Sequence, residues 1–360
     1  MARNTSIGNK DGKPVAPTAV ASGLDRQELI STVCRMFCEG EYTLAKIAKA
    51  LNIGRERPYR LLQHEARLHR FQYAAPLAFE QAHSLGVRYP WLRPRVVHTV
   101  NRDDVASEAA HWLVELIDQH RKEKPEREDV HIGFAGGGLL SETARQLAHM
   151  LRERTEELRN FTFVFHALVA GFNPRNPFSD PNAFFTYFTD EPTLQVSFVN
   201  LLAPGFVTTT EWSALREFEA IKEAFRRAAD LDILVTSAGA HWGKKCSRLR
   251  QLYNEQGLEE TLEALEKAGT IGDLLWRPIS KDGPVEVEAK MRALTVLDLP
   301  DLPQRIKAGC KVVLALGPCG SCRLPKGDIL RTVLGWKQHY VTHAVVDSRT
   351  AQEALTGNGK

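Results

Sequence analysis

The sequence predicts an α/β protein in which a small helical domain precedes a larger domain with a largely parallel sheet. Two observations support this prediction. Three short helical patterns, separated by tight turns, occupy residues 25–75. From about residue 105 onward, apolar strand-like runs alternate with amphipathic helices, which is the order typical of a parallel sheet. A chain of 360 residues is long enough for two or three domains.

The first helical pattern follows a polar stretch, residues 1–24, that we expect to be a disordered tail. Apolar side chains then recur every three to four residues, as one face of a helix requires. They are Leu29, Ile30, Val33, Cys34 and Phe37. Gly40 is expected to end this helix.

The next two patterns form a helix-turn-helix unit. Thr43 is a suitable N-cap for a helix over residues 44–51, and Asn52 tolerates the left-handed backbone of a tight turn. A third helix is expected from about residue 55 to 69. Because proline is tolerated only in a first turn, Pro58 moves the predicted start of that helix toward residue 57.

The larger domain is assigned to residues 105–360, after a linker over residues 76–104. The predicted strands are residues 130–134, 161–169, 194–202, 233–237, 290–297, 311–316 and 341–346. The predicted helices are residues 105–122, 138–156, 212–229, 258–268, 326–335 and a terminal helix that starts at Thr350.

Composition narrows the function classes. With 43% hydrophobic and 25% charged residues, the chain is neither collagen-like nor a disordered polyelectrolyte. It has no run of 18 apolar residues and no apolar signal core at its N-terminus, so we expect no membrane span and a cytoplasmic location. The first 75 residues carry 12 Lys/Arg against 7 Asp/Glu, whereas the remainder has a net charge of −2. Such a concentration of positive charge is typical of a nucleic-acid-binding module.

A helix-turn-helix reader of DNA needs hydrogen-bond donors on its third helix and basic residues on the helix before it. The candidate DNA-contacting residues are Thr43, Lys46, Arg55, Arg57, Tyr59 and Arg60. A solvated basic face on a small helical bundle is the alternative interpretation. The coincidence of a cap, a turn and a basic third helix favours double-stranded DNA as the partner.

A ligand site is predicted where strands of the larger domain end. Gly136, Gly137 and Gly138 follow a predicted strand and open a helix, so their backbone N–H groups suit a phosphate. The run is not a dinucleotide fingerprint, because Ala135 stands where that motif has glycine. Ser141 is the nearest hydroxyl. A tight turn without a ligand is the alternative.

Two further loops at strand ends are expected to line the same pocket, through Arg175 and Gly239. The Cys319-Gly-Ser-Cys322 run also follows a strand. A redox or metal-responsive role is the alternative for this pair, because helix N-termini lower thiol pKa values. No second close Cys/His pair follows, so we expect neither a metal nor a cofactor, and the six cysteines do not indicate a disulfide framework.

Taken in order, these features resemble the SorC/DeoR-type sugar-binding bacterial transcriptional regulators. The resemblance covers nearly the whole chain after residue 25. The matching segments are residues 43–62, 132–138, 201–207, 232–239, 269–274 with Lys281-Asp282-Gly283, Gly317, Lys326, 344–347 and Thr350-Ala351. Leu139-Leu140 and the long loop between Gly317 and Lys326 depart from the family's pattern.

The resemblance implies a Rossmann-like effector domain, similar in fold to sugar-phosphate isomerases and glucosamine-phosphate deaminases. It implies that a phosphorylated sugar alters the grip of the protein on operator DNA, and that the protein is a homodimer or homotetramer. By the same resemblance, Asp273 accepts hydrogen bonds from sugar hydroxyls and Lys326 approaches the phosphate.

Two other functions stay open as alternatives. One is a sugar-phosphate isomerase or deaminase with an accessory helical domain, in which Asp273 and His241 are the candidate acid–base groups. We favour a protein that is not an enzyme, because no clear acid–base constellation is present. The other is a carbohydrate-kinase regulator that acts only through protein contacts.

Overall fold

The computed structural model of the chain describes residues 25–38, 42–67, 74–171, 179–189, 194–244, 246–287 and 289–357. The chain divides into two compact units, Met1–Tyr73 and Ala74–Lys360. The segment predicted to be a tail, residues 1–24, lies outside the described residues. Among the described helices, none combines the length and the apolar character that a membrane span requires.

The described part of the first unit is a set of three helices, as the sequence predicts. They are α1 (Arg26–Cys38), α2 (Leu44–Ala50) and α3 (Arg57–Arg67). Their small core consists of Leu29, Val33, Met36, Ile47, Leu51 and Leu62.

The connection between α2 and α3 follows from local chemistry. The Thr43 hydroxyl accepts a hydrogen bond from the backbone N–H of Lys46 at 3.3 Å and so caps α2. Asn52 adopts a left-handed backbone conformation with φ 53°, which asparagine tolerates. The third helix begins at Arg57 and holds Pro58 in its first turn, as predicted.

The second unit contains the remaining elements. Its described helices are α4 (Phe79–Arg88), α5 (Arg102–Glu123), α6 (Gly138–Arg152), α7 (Pro181–Phe184), α8 (Thr209–Leu215), α9 (Glu219–Arg227), α10 (Arg248–Glu255), α11 (Glu259–Lys267), α12 (Leu302–Lys307), α13 (Gly327–Gly335) and α14 (Ser348–Thr356). Its described strands are β1 (Arg93–Val97), β2 (Asp129–Phe134), β3 (Thr162–Ala167), β4 (Gln195–Val199), β5 (Phe206–Thr208), β6 (Ile233–Thr236), β7 (Ala238–Gly239), β8 (Gly272–Leu274), β9 (Arg277–Ile279), β10 (Met291–Ala293), β11 (Lys311–Leu316) and β12 (His343–Asp347).

Seven of these strands form one parallel sheet in the order β1-β12-β11-β6-β2-β3-β4. Strands covered on both faces read as continuous apolar runs, and β6 and β11 do so. From β2 the chain proceeds through β3 to β4 on one side, whereas β6, β11 and β12 lie on the other side. The strand order therefore reverses between β2 and β6, which is where open α/β sheets bind ligands.

Three predictions need correction. The predicted linker, residues 76–104, holds α4 and β1, and β1 is an edge strand of the main sheet paired with β12. Its apolar residues pack into the core of the second unit rather than bridging two domains. The predicted helix over residues 212–229 is two helices, because Phe218 has an extended backbone at the start of α9. The predicted strand over residues 290–297 is reduced to β10, which pairs with β5 outside the main sheet.

Buried histidines are a feature of the sheet. His166 on β3 and His343 on β12 are both almost fully buried. Burial lowers the pKa of each to about 3, and in the case of His343 the nearby Arg93 adds to the effect. Both side chains are therefore neutral in the folded protein at neutral pH.

Replacing His343 with leucine is expected to flatten the pH dependence of the unfolding free energy. The folded pKa, about 3, lies below the ordinary value of 6.5, so the unfolded chain binds the proton first as pH falls. The contribution of His343 is thus complete above pH 6.5 and is lost on acidification, at up to about 1.4 kcal/mol per pH unit. Urea unfolding at several pH values between 5 and 7 measures it. The exposed His111→Gln variant should keep the wild-type slope, and an unchanged slope in His343→Leu would contradict the assignment.

Candidate functional site

A cleft of about 340 Å³ lies at the carboxyl ends of the strands where the strand order reverses. Loops after β2, β6 and β11 form its wall, together with the first residue of α5 and with β8. The parallel sheet brings these separate segments to one edge. This is the position at which the sequence predicts a ligand site.

The loop after β2 brings backbone close to the cleft. Gly137 has φ 125°, a conformation that favours glycine, and its N–H donates to the Ser179 carbonyl at 2.8 Å. A Cβ at Gly136 would lie 2.8 Å from the same carbonyl oxygen. The helix that begins at Gly138 has no side-chain cap and no acidic residue in its first turn. Its positive end is therefore available to an anion.

A guanidinium group reinforces this positive end. Arg102 opens α5, after an Asn101 cap, and a Cβ added at Gly138 would lie 3.2 Å from its Nη1 atom. Its contact with Asp103 is long, at 3.4 Å from Nε to Oδ1. The sequence prediction missed Arg102 because residues 76–104 were assigned to a linker. An asparagine cap with acidic residues in the following turn, here Asn101 with Asp103 and Asp104, is nevertheless a recognisable helix start.

A buried carboxylate and a partly buried ammonium, those of Asp273 and Lys326, face the same cleft. Asp273 on β8 accepts hydrogen bonds from the Gly239 N–H and, at 3.4 Å, from the Ser247 hydroxyl. Burial raises the pKa of Asp273 to about 6, against the opposing influence of Lys326 and these donors. Lys326 donates from Nζ to the Ala238 carbonyl at 2.8 Å, and burial lowers its pKa.

Two glycines, Gly239 and Gly272, leave the space that the Asp273 carboxylate occupies. Gly239 pairs with Asp273 in the antiparallel register of β7 and β8. A Cβ at Gly239 would lie 2.0 Å from Asp273 Oδ2, and one at Gly272 would lie 2.2 Å from the Gly239 carbonyl oxygen. Only residues without a side chain permit this close approach. Gly239, which the sequence predicts to line the ligand site, is therefore needed there because any side chain would overlap Asp273.

Most predicted effector-site residues meet in the cleft, but not all. The residues it brings together are Gly136, Gly137, Gly138, Gly239, Asp273 and Lys326. Ser141 was predicted to line the cleft, but it is not among the residues that do so. Its hydroxyl is instead hydrogen-bonded to the Tyr187 hydroxyl at 3.0 Å. Arg175 lies outside the described residues. His241 lines a neighbouring cavity of about 710 Å³.

Other cleft residues escaped the sequence prediction. Trp276 and Arg248 line the cleft, and so does Cys246. Trp276 is placed there by a left-handed turn, with φ 50° at Leu275 and 59° at Trp276. Non-glycine residues rarely adopt this conformation, so the sequence carries no local signal for it.

The predicted Cys319/Cys322 pair acquires a third partner. The sulfur atoms of Cys246, Cys319 and Cys322 all lie within 4.8 Å of one another. Burial and the two neighbouring thiols raise the pKa of Cys246 to about 11. For Cys322 burial acts in the same direction, but the Leu324 N–H and the other two thiols outweigh it, so its pKa is lowered.

The candidate DNA-contacting residues lie together on α2, α3 and the turn between them. All six are exposed, as a DNA-reading surface requires. Thr43 caps α2, and Arg60 forms an ion pair with Glu56 at 2.8 Å on the solvent side of α3. The other candidates are Lys46, Arg55, Arg57 and Tyr59, the last of these with 55% of its surface exposed.

Several solved structures to which the chain is similar in fold are transcriptional regulators. The full-length sorbitol operon regulator SorC of Klebsiella pneumoniae matches with a TM-score of 0.59 and 16% identity, covering 93% of this chain and 100% of that one. A probable sor operon regulator from Shigella flexneri matches with a TM-score of 0.57 and 14% identity, covering 77% and 99%. A putative SorC family transcriptional regulator from Enterococcus faecalis matches with a TM-score of 0.55 and 12% identity, covering 77% and 100%.

No protein-family sequence model matches the chain, and no curated protein sequence matches it. The chain has the fold of SorC-type regulators, as the resemblance in sequence predicts.

Replacing Gly239 with alanine is expected to destabilise the second unit by about 1–3 kcal/mol, because the added Cβ would overlap Asp273 Oδ2. Urea denaturation measures the loss. Gly243→Ala is the matched control, since a Cβ at Gly243 meets no atom within 4 Å. Equal stability of the two variants would show that β7 and β8 are not packed as described.

Proposed function

We propose that this chain is a transcriptional regulator whose affinity for operator DNA is controlled by a phosphorylated sugar bound in its second unit. The observation that carries the proposal is that one cleft combines cationic groups with a carboxylate. A helix N-terminus without a side-chain cap lies beside the Arg102 guanidinium, and the buried Asp273 carboxylate lines the same cleft. The fold shared with sugar-operon regulators supports the same function.

The cationic side suits a phosphate group. Backbone N–H groups at the start of a 15-residue helix favour an anion, and Arg102 adds two-pronged hydrogen bonding to its oxygens. The Nζ atom of Lys326 contributes a second cation, held in place by the Ala238 carbonyl.

The acidic side suits hydroxyl groups. A carboxylate whose oxygens take hydrogen bonds from Gly239 and Ser247 is oriented rigidly, and it has acceptor capacity left for a sugar. The indole of Trp276 supplies an apolar face in the same cleft, which suits the face of a sugar ring. A ligand with an anionic end and hydroxyl groups matches both sides.

The basic surface of α2 and α3 is the proposed DNA reader. Arg57 and Arg60 lie in the first turns of the third helix, where a helix-turn-helix contacts base edges, and Lys46 suits a phosphate. Two such surfaces in a homodimer or homotetramer would match the two half-sites of a palindromic operator. A regulator of this kind works where bacterial DNA lies, in the cytoplasm.

Arg57→Ala is expected to weaken operator binding by about 1–3 kcal/mol, roughly 5- to 150-fold, and to relax specificity at one base pair. Lys46→Ala should weaken binding to all sequences and reduce the salt slope of binding by about one. Fluorescence anisotropy of the full-length protein on DNA from upstream of its own gene, against excess non-specific DNA, measures both.

Glu56→Gln is the matched control for this experiment. It removes the partner of Arg60 without removing a positive charge, so binding should be unchanged or tighter. Wild-type DNA affinity in both the Arg57 and Lys46 variants would show that the basic surface of α2 and α3 does not contact DNA, and would contradict the proposal.

Arg102→Ala is expected to weaken binding of sugar phosphates roughly 10- to 100-fold, because a charge-assisted contact is worth about 1.5–3 kcal/mol. Asp273→Asn should weaken binding of the same compounds through their hydroxyl groups. Isothermal titration with a panel of sugar phosphates, the parent sugars and inorganic phosphate measures both losses.

The control is Arg159→Ala, an exposed arginine paired with Glu156 next to the amino end of β3. It should bind every compound as the wild type does. Saturable binding that neither cleft variant changes would move the effector site elsewhere. Turnover of a sugar phosphate in the same samples would favour an isomerase or deaminase over a sensor.

A further inference from the structure

Three cysteines from two separate parts of the chain meet at the wall of the cleft. The sulfur atoms of Cys246, Cys319 and Cys322 lie within 4.8 Å of one another. Cys319 is buried, and the other two are partly exposed. Among the described residues, no fourth histidine, cysteine or acidic residue joins the group.

The loop after β11 is shaped to present two of these sulfurs together. The N–H of Cys319 donates to the Leu324 carbonyl at 2.9 Å, and the N–H of Arg323 donates to the Cys319 carbonyl at 2.9 Å. Arg323 adopts a left-handed conformation with φ 59° to close this turn. A further backbone N–H, that of Leu324, donates to the Cys322 sulfur.

The third sulfur arrives from a different segment of the chain. Cys246 immediately precedes Ser247, whose hydroxyl caps α10 and also contacts Asp273. The beginning of α10 is thereby tied to the acidic side of the cleft. Two independently anchored segments thus converge on one point, which a chance C-x-x-C sequence does not require.

We propose that Cys246, Cys319 and Cys322 form a three-thiolate site for a thiophilic cation of the Zn²⁺ class. Three sulfur ligands and a fourth, open position form the arrangement that zinc accepts in sites where it also meets a small molecule. Soft thiolate ligands select Zn²⁺ or Cu⁺ over Mg²⁺ and Ca²⁺. The proposal of this metal site does not rest on the proposed DNA and sugar-phosphate functions, although two of the cysteines line the same cleft.

Binding of Zn²⁺ by three thiols displaces three protons and leaves a cluster of net charge −1. The ammonium of Lys326 is close enough to Cys319 to interact with it electrostatically, so part of this charge is balanced nearby. Cys246 and Cys319 both line the cleft. The open position of the cation is therefore accessible to water or to a group on a molecule bound there.

The test uses the full-length protein, reduced and free of metal under anaerobic conditions. Titration with Co²⁺ should produce a sulfur-to-cobalt charge-transfer absorption that saturates at one ion per chain, and Zn²⁺ should displace the Co²⁺. Competition with a chromophoric chelator then gives the Zn²⁺ affinity, and a Cu⁺ titration distinguishes the two cations. Each of Cys246→Ser, Cys319→Ser and Cys322→Ser should weaken Zn²⁺ binding by at least about 100-fold, since losing even a group behind a ligand costs about 10–100-fold.

Cys34→Ser is the control, because Cys34 lies in the other unit. It should keep the wild-type affinity and absorption. Circular dichroism melting of every variant separates loss of metal from loss of fold. Cys246→Ser is the variant least expected to disturb the fold, because Cys246 is partly exposed.

Two results would overturn the proposal. One is wild-type Zn²⁺ binding in all three variants. The other is no Zn²⁺ or Cu⁺ binding by the reduced protein, with a Cys319–Cys322 disulfide forming on oxidation.

Discussion

The reversal of strand order between β2 and β6 is the constraint on which the rest of the second unit depends. In a parallel sheet every strand ends at the same edge, and neighbouring crossovers that leave in opposite directions open a crevice there. The glycine loop after β2, the β7 segment after β6 and the cysteine loop after β11 meet at this crevice. None of them is near the others in sequence, so the topology alone assembles the site.

Within that crevice, the absence of side chains matters as much as the side chains that are present. Gly239 and Gly272 let β7 and β8 approach until the Asp273 carboxylate lies against backbone, and Gly136 and Gly138 leave room for Ser179 and Arg102. A buried carboxylate without donors would be costly. Here the Gly239 N–H, the Ser247 hydroxyl and the nearby Lys326 stabilise its charged form, although burial still raises its pKa. The same close packing thus provides both the shape and the electrostatics of the cleft.

The sequence was informative where a residue's role depends on its own neighbours. Periodicity placed α1 to α3 and most strands of the sheet, and the position of Pro58 correctly set the start of α3. It failed where distant segments decide the outcome. Strand β1 joins the sheet by pairing with β12, which is about 250 residues away in the sequence. No local pattern indicates that pairing, so residues 76–104 were predicted to be a linker. Likewise, the sequence gives no sign that the Ser141 hydroxyl is hydrogen-bonded to Tyr187 rather than exposed to a ligand. Nor does any local pattern indicate that Cys246 lies beside the Cys319 loop.

Metal binding by the three cysteines would change the net charge beside the cleft. With all three thiols protonated the group is neutral, whereas the same sulfurs around Zn²⁺ carry a net charge of −1. That is the sign of a phosphate, so the two would repel each other at short range unless a cation lies between them or the phosphate itself binds the metal. Lys326 interacts electrostatically with both Cys319 and Asp273. A loaded metal site and an anionic ligand would therefore both draw on the charge of this partly buried ammonium, which gives a physical route for coupling between metal and effector.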